Sequence, residues 1–169
     1  MARQSPELIA MLSGIEKAVS SADGQVPARI AGAIQPFLGK PGLLAADTCM
    51  GCPDGYIRHL LHANSAARYA VVALVWKPGQ MSPVHAHRTW CTLGVQDGTL
   101  TEGHYALPGG HSPPRQIGSR LLNAGAVSYG TADPRLIHRL ANLGMKDAIS
   151  IHIYGAAFDR FGSDVNHIY

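Results

Sequence analysis

The stretch Gly79-Gln80-Met81-Ser82-Pro83-Val84-His85-Ala86-His87 lies near the middle of the chain and decides the fold that we predict. It follows the turn residues Lys77-Pro78, and the next turn along the chain is Asp97-Gly98. Turns that bracket a short apolar run are typical of β-strands, and Asp-Gly is a strong hairpin signal. We therefore predict a strand over residues 84–94. Side chains two residues apart in a strand share a face, so His85 and His87 point the same way.

The same pattern of short apolar runs between turn residues extends from about Asp54 over most of the remaining chain. Short runs of Val, Ile, Leu, Tyr and Thr alternate with Gly and Pro clusters at a spacing of roughly ten residues, which is typical of an antiparallel sandwich or barrel. The predicted strands cover residues 55–62, 67–76, 84–94, 97–106, 114–122, 125–130, 136–142 and 147–154. The expected fold is mainly β, a jelly-roll barrel with short N-terminal α-helices.

The residues before this region have a helical pattern. Ser5-Pro6-Glu7 is a typical helix start, and apolar residues at helical spacing then predict a helix over residues 6–20. A second helix is predicted over residues 27–38. We expect residues 1–169 to form a single domain, in which 1–50 is a helical layer, 54–155 the barrel and 156–169 a C-terminal tail.

Composition narrows the possible function classes. Of the 169 residues 46% are apolar and 15% charged, so a large core is expected and extended disorder is not. The net charge of +3 is scattered along the chain, which argues against a nucleic-acid partner. The sequence has no apolar run of the roughly 18 residues that span a bilayer and no signal-peptide pattern, so we expect no membrane partner. Three cysteines without an export signal fit a cytoplasmic location.

A third histidine lies in a separate predicted strand. His138 belongs to the run Leu136-Ile137-His138-Arg139-Leu140. With His85 and His87 it provides three imidazoles, and neutral nitrogen ligands suit iron, zinc, copper or nickel while leaving coordination positions open. The alternative is that each histidine is a hydrogen-bonded residue of the core. We predict a metal site formed by His85, His87 and His138.

The last predicted strand carries a polar row. In Ala148-Ile149-Ser150-Ile151-His152-Ile153-Tyr154, alternation places Ser150, His152 and Tyr154 on one face and three isoleucines on the other. If the polar face lines the barrel, the three side chains should form a hydrogen-bonded relay that ends at the phenol. The alternative is an amphipathic strand whose polar face is solvated.

The spacing of these residues resembles a known superfamily. The pattern G-x5-H-x-H-x3-C-x6-G over residues 79–98, together with H-x3-N over residues 138–142, resembles the two motifs of the cupins, whose jelly-roll barrel holds one metal ion. Many metal cupins have a glutamate where this chain has Cys91. Three neutral ligands leave the full charge on the ion, which favours an anionic substrate such as a thiolate.

The serine, histidine and tyrosine row makes the resemblance narrower. Together with Cys91 and the Tyr56-x-Arg58 pair, it resembles the thiol dioxygenases of the cysteine dioxygenase type. That resemblance implies that His85, His87 and His138 hold Fe(II). It also implies that Ser150, His152 and Tyr154 form an outer triad, and that Arg58, beside Tyr56, binds the substrate carboxylate. The implied reaction adds both atoms of O₂ to the sulfur of a small thiol carboxylate to give a sulfinate.

The sequence leaves several alternatives open. The spacing of Cys91 resembles that of bacterial 3-mercaptopropionate dioxygenases, but Arg58 stands where those enzymes typically have glutamine, so the substrate is cysteine or another mercapto-acid. A Cys91–Tyr154 thioether and the oligomeric state are undecided. A cupin that binds a metal or ligand without catalysis is the alternative from another class. We interpret Cys49 and Cys52 as incidental, and Arg160 in the tail could offer a second cation to the substrate.

Overall fold

The chain begins with two α-helices. The computed structural model describes residues 4–21, 24–109 and 112–169. Helix α1 (Pro6–Val19) is capped by Ser5, whose Oγ accepts a hydrogen bond of 3.1 Å from the Leu8 N–H, as the sequence predicts. Helix α2 (Val26–Ile34) ends before the predicted boundary. The segment Gln35–Phe37 continues it as a 3₁₀ turn, because Pro36 has no N–H for the α-helical pattern.

Within the described residues, ten strands form two antiparallel five-stranded sheets. The first sheet has the order β1-β2-β9-β4-β7 and the second β10-β3-β8-β5-β6. The strands are β1 (Ile57–Asn64), β2 (Tyr69–Trp76), β3 (His85–His87), β4 (Cys91–Asp97), β5 (Thr99–Ala106), β6 (Arg115–Asn123), β7 (Val127–Gly130), β8 (Ile137–Ala141), β9 (Ala148–Tyr154) and β10 (Asn166–Ile168). A short helix, α3 (Phe161–Asp164), precedes β10. None of the helices in the described ranges has the length and apolarity that a membrane crossing requires.

The apolar core has two layers. One lies between the helices and the outer face of the first sheet, where Met11, Ile15 and Ile30 meet Ile151 and Ile153. The other fills the space between the two sheets. Its members are buried side chains of both sheets, among them Val72, Leu74, Leu93, Leu100 and Leu140. Full burial of one such side chain contributes about 1.5–3 kcal/mol to the free energy of folding, so both layers stabilise the arrangement of the sheets.

The predicted strand over residues 84–94 is two strands. The chain leaves the second sheet after β3 and enters the first sheet at β4, so the prediction of one continuous strand is wrong. Backbone hydrogen bonds hold the crossing: the Arg88 N–H donates to the Val165 carbonyl at 2.8 Å, and the Gly155 N–H donates to the Trp90 carbonyl at 3.1 Å. Alternation alone could not reveal this corner, since the residues on both sides of it fit a strand.

The C-terminal tail also contributes to the sheet. Strand β10 pairs antiparallel with β3, and Asn166 lies opposite His87 in that pairing. The tail is anchored at its end as well, because the Tyr169 hydroxyl donates to the Pro134 carbonyl at 2.6 Å. The strand that carries His85 and His87 is therefore held between β8 on one side and the tail on the other.

Candidate metal centre

The three predicted histidines come together at one point between the sheets. Strands β3 and β8 are neighbours, and their register places His85 directly opposite His138. His87 shares a face with His85, and its Nε2 lies 3.0 Å from the Nε2 of His138. One ring nitrogen from each of the three residues lies within 4.8 Å of the others. This is the one group of three or more histidine, cysteine or acidic side chains in the described part of the chain that could hold a metal ion.

The separation of the His87 and His138 nitrogens fits a metal ion. Two nitrogens bound at about 2.1 Å and at right angles to each other lie about 3.0 Å apart. The outer nitrogens of two rings have acceptors: His85 Nδ1–H donates to the Pro83 carbonyl at 2.9 Å, and His138 Nδ1–H donates to Glu102 Oε1 at 2.9 Å. These bonds fix the tautomer that directs each Nε2 lone pair inward.

Burial keeps two of the three imidazoles, those of His85 and His87, uncharged. Burial, together with the nearby His138, lowers the pKa of His85 to about 4. Burial and the neighbouring rings of His138 and His85 lower the pKa of His87 to about 2. A metal ligand must be deprotonated, so at neutral pH these two rings are ready to bind a cation without losing a proton first.

A buried carboxylate that the sequence analysis missed supports His138. The Glu102 carboxylate on β5 is 2% exposed and accepts from His138, from Arg120 Nε at 2.8 Å and from Ser128 Oγ at 3.0 Å. Burial alone would raise the pKa of Glu102, but the bonds from His138 and Arg120 lower it to about 2. The carboxylate is therefore ionised and orients the imidazole, an arrangement common behind metal-binding histidines. The sequence held a signal for Glu102. In the predicted strand over residues 97–106 it shares a face with the apolar Leu100, and an acidic residue on an apolar face is unusual.

The polar row of β9 forms the predicted relay. Ser150, His152 and Tyr154 are all buried. Ser150 Oγ lies 2.8 Å from His152 Nε2, and His152 Nδ1 lies 3.0 Å from the Tyr154 hydroxyl. Burial lowers the pKa of His152 to about 3, so this ring is neutral. The alternative of a solvated polar face is wrong, because this face lies between the two sheets.

Trp76 gives the relay a direction, and the sequence analysis missed it. Its indole Nε1–H donates to Ser150 Oγ at 2.9 Å. Since an indole only donates, Ser150 accepts there and its own hydroxyl hydrogen goes to His152 Nε2. His152 then donates from Nδ1 to the Tyr154 oxygen, an order that leaves no buried donor of the relay without an acceptor. The Tyr154 O–H is then directed away from His152, and it donates to the Cys91 thiol beside it. Burial and the adjacent Cys91 raise the pKa of Tyr154 well above its usual value, so the hydrogen is retained.

Cys91 lies beside the end of the relay. It is directly opposite Tyr154 in the pairing of β4 with β9, and its thiol is free and buried. Burial raises the pKa of this thiol well above its usual range, with the Glu102 charge adding to the effect. A neutral Cys91 thiol is a poor metal ligand.

Arg58 lies at the mouth of a narrow cavity that contains the relay and the histidines. The cavity has a volume of about 20 Å³. Its walls include Tyr56, Arg58, the three histidines, His152 and Tyr154. Arg58 is exposed, donates from Nη2 to the Tyr56 hydroxyl at 3.4 Å and lies over the Tyr56 ring. Tyr56 in turn stacks on Trp76 with ring centroids 4.4 Å apart. The predicted pair of Tyr56 and Arg58 is thus joined to the relay through Trp76.

A second cavity lies on the other side of the same imidazoles. It has a volume of about 130 Å³, and it too is lined by His87 and His138. The remaining walls include Cys91, Leu93, Glu102 and Arg120. The two cavities share the rings of His87 and His138 as a common wall, with the relay on one side and the Glu102 network on the other.

Two further sequence motifs lie outside the centre. Arg160 is paired with Asp164 one turn away, with Nε 2.8 Å from Oδ2, and it does not line the cavity of Arg58. The expectation that it offers a second cation to the substrate is therefore wrong for this structure. Cys49 and Cys52 belong to none of the possible metal-binding groups among the described residues.

Comparison with known proteins gives one family and a fold. The family of cysteine dioxygenase type I matches residues 51–163. A protein with a double-stranded β-helix domain from Klebsiella pneumoniae is similar in structure, with a TM-score of 0.52 and 18% identity over 70% of this chain and 93% of that one. A Thermus thermophilus protein has a TM-score of 0.51 and 15% identity over 66% of this chain and 91% of that one. Both similarities concern the fold and confirm the predicted jelly-roll barrel.

Proposed function

The chain belongs to the cysteine dioxygenase type I family, and from this premise we propose that it is an Fe(II) thiol dioxygenase acting on a small thiol carboxylate. The observation that carries the proposal is the placement of three imidazoles beside the Tyr154 hydroxyl, in a cavity whose mouth holds Arg58.

The proposed reaction is balanced with dioxygen as the sole oxidant. A thiol RSH and one O₂ give the sulfinic acid RSO₂H, so the S–H proton is released or retained by the product and both oxygen atoms end on sulfur. The sulfur loses four electrons and dioxygen gains them. When bound, ferrous iron supplies the redox chemistry that activates dioxygen, with coordination positions open to a thiolate.

The absence of a carboxylate among the three proposed ligands supports a thiolate substrate. His85, His87 and His138 bring no negative charge to the ion. The nearest carboxylate, Glu102, is engaged by His138 and Arg120 and faces the outer nitrogen of a ring. An anionic sulfur donor would supply the missing charge at the centre.

The chain's own groups would position the substrate. The Arg58 guanidinium offers a planar pair of donors that matches a carboxylate, and its exposure allows it to meet a ligand that enters from solvent. The Tyr154 hydroxyl lines the same cavity, and its O–H would turn from Cys91 to donate toward the sulfur or the oxygens that it receives. Trp76 holds this phenol in place through Ser150 and His152.

Oxygen consumption tests the proposal. The iron-loaded protein is mixed with cysteine, 3-mercaptopropionate and cysteamine in separate runs on an oxygen electrode, and sulfinate is measured by mass spectrometry. We expect the carboxylated thiols to consume one O₂ for each sulfinate formed and cysteamine to react poorly. Absence of oxygen uptake with all three thiols would refute the proposal and favour a cupin that binds metal without catalysis.

A further inference from the structure

Asn166 lies in the tail strand and points to the metal centre. It is directly opposite His87 in the pairing of β10 with β3. Residues directly opposite each other in adjacent strands project their side chains to the same face of the sheet. Asn166 accordingly lines the narrow cavity together with Arg58, His85 and Tyr154. It also lies beyond residues 51–163, the part of the chain that matches the family.

The side-chain oxygen of Asn166 is without a hydrogen-bond partner among the residues that the structure describes. Oδ1 is buried and accepts no hydrogen bond from any group in the described part of the chain. The main chain on this side is anchored to Arg88, because Arg88 Nε donates to the Asn166 carbonyl at 3.1 Å and the Arg88 N–H donates to the Val165 carbonyl at 2.8 Å. The strand therefore holds the amide in place without satisfying it. A buried polar atom left in this way is costly, and such atoms in native structures call for a partner.

The polar groups around the cavity are complementary to an amino acid. Arg58 at the mouth can only donate hydrogen bonds, which suits a carboxylate. The Oδ1 of Asn166 can only accept them, which suits an N–H group. A thiol carboxylate without nitrogen would satisfy Arg58 but leave Asn166 unpaired, and once a ligand fills so narrow a cavity there is little room for water to replace the missing donor.

We propose that Asn166 accepts a hydrogen bond from the substrate's α-amino group and makes the site selective for an aminothiol carboxylate over a mercapto-acid of the same length. This inference rests on the proposed thiol dioxygenase function and names the substrate class of that same site. A site built to bind an N–H discriminates against the analogue that lacks it, because the buried acceptor is then left without a donor.

Two substrates and three variants test this inference. Cysteine and 3-mercaptopropionate differ only in the α-amino group, so the ratio of their kcat/KM values isolates its contribution. Asn166→Leu removes the acceptor at similar volume, and Asn166→Asp retains one. Asn123→Leu is the matched control, since Asn123 is exposed and lines neither cavity. Thermal melts of all variants check that each is folded.

We expect the wild-type chain to prefer cysteine and Asn166→Leu to lower the cysteine to 3-mercaptopropionate ratio about tenfold or more, the loss expected for an unpaired buried acceptor. Asn166→Asp and Asn123→Leu should keep the ratio within about threefold of wild type, because each retains an acceptor at position 166. An Asn166→Leu ratio equal to wild type would overturn the inference. So would an equal loss in the Asp variant, which would mean that the amide donates.

A binding measurement separates this inference from the proposed function. Anaerobic calorimetry of the iron-loaded protein gives the dissociation constants of the two thiols without turnover. If neither thiol is oxidised but cysteine binds more tightly than 3-mercaptopropionate and Asn166→Leu removes the difference, the oxidation proposal fails and the inference stands. If both thiols are oxidised and bind equally well to wild type, the inference fails and the proposed function stands.

Discussion

The two cavities that meet at His87 and His138 differ in how their polar groups are satisfied. In the larger cavity the Glu102 carboxylate receives hydrogen bonds from His138, Arg120 and Ser128, all within the protein. In the narrow cavity the Asn166 oxygen has no partner in the described residues. We call the larger cavity the complete side, because its carboxylate is paired within the protein, and the narrow cavity the incomplete side. The complete side supports the imidazoles, and the incomplete side has an unpaired acceptor that a ligand could satisfy.

The largest effect should follow from removing one of the three histidines of the metal centre at which the two cavities meet. His85→Ala removes one of the three nitrogens, and we expect the metal content after dialysis to fall at least tenfold from about one ion per chain. Elemental analysis by mass spectrometry measures it. The matched control is His59→Ala, because His59 Nε2 is bonded to the Met50 carbonyl and lies outside the centre. Full metal retention by His85→Ala would remove this residue from the ligand set.

The next effect concerns the incomplete side alone. Arg58→Ala removes charge-assisted bonds worth about 1.5–3 kcal/mol, so KM for cysteine should rise about tenfold to a hundredfold. Metal content should stay at the wild-type level, because Arg58 is not among the residues that line the larger cavity. Cysteamine, which lacks the carboxylate, provides the control substrate. Arg58 would have no role in binding carboxylates if KM for cysteine and KM for cysteamine changed by the same factor.

A moderate effect is expected on the complete side. Glu102→Gln keeps an acceptor for His138 but removes the charge, and loss of such a supporting carboxylate typically weakens metal binding about tenfold to a hundredfold. Competition with a coloured chelator gives the dissociation constant. Glu16→Gln, on the exposed face of α1, is the control. An unaltered metal affinity in Glu102→Gln would mean that the carboxylate serves the packing of the barrel rather than the orientation of His138.

The smallest effect should come from the start of the relay. Trp76→Phe keeps an aromatic ring against Tyr56 but removes the N–H that Ser150 accepts, at a cost of about 0.5–1.5 kcal/mol. For a domain of this size each kcal/mol lowers Tm by about 2–4 °C. Calorimetric melting measures the stability, and kcat for cysteine should fall severalfold while KM changes little. A large rise in KM with an unaltered kcat would instead place Trp76 in substrate binding.

The sequence predicted the incomplete side better than the complete one. The histidine pair of β3 and the polar row of β9 are each local patterns of period two, so a single strand reveals which side chains share a face. His138 was found through its position in a second short apolar strand. The roles assigned to Arg58 and Tyr154 remain predictions, although the structure brings both residues to the cavity that the histidines line.

The residues that the sequence analysis missed depend on pairing between distant strands. Glu102 reaches His138 because β5 pairs with β8, and Trp76 reaches Ser150 because β2 pairs with β9. Asn166 reaches the cavity only through the pairing of the tail with β3. Nothing in a short tail strand such as Asn166–Ile168 indicates its partner. The wrong expectation for Arg160 has a local cause, since Asp164 lies close enough in the chain to bind its guanidinium.

The central claim is that His85, His87 and His138 hold one ferrous ion on which a thiol can bind from the incomplete side. Electron paramagnetic resonance of the anaerobic Fe(II) protein, with nitric oxide as the probe, tests it directly. We expect a high-spin iron–nitrosyl signal that changes in shape when cysteine is added and that is absent in His85→Ala. A wild-type signal that is identical with and without cysteine would contradict the claim.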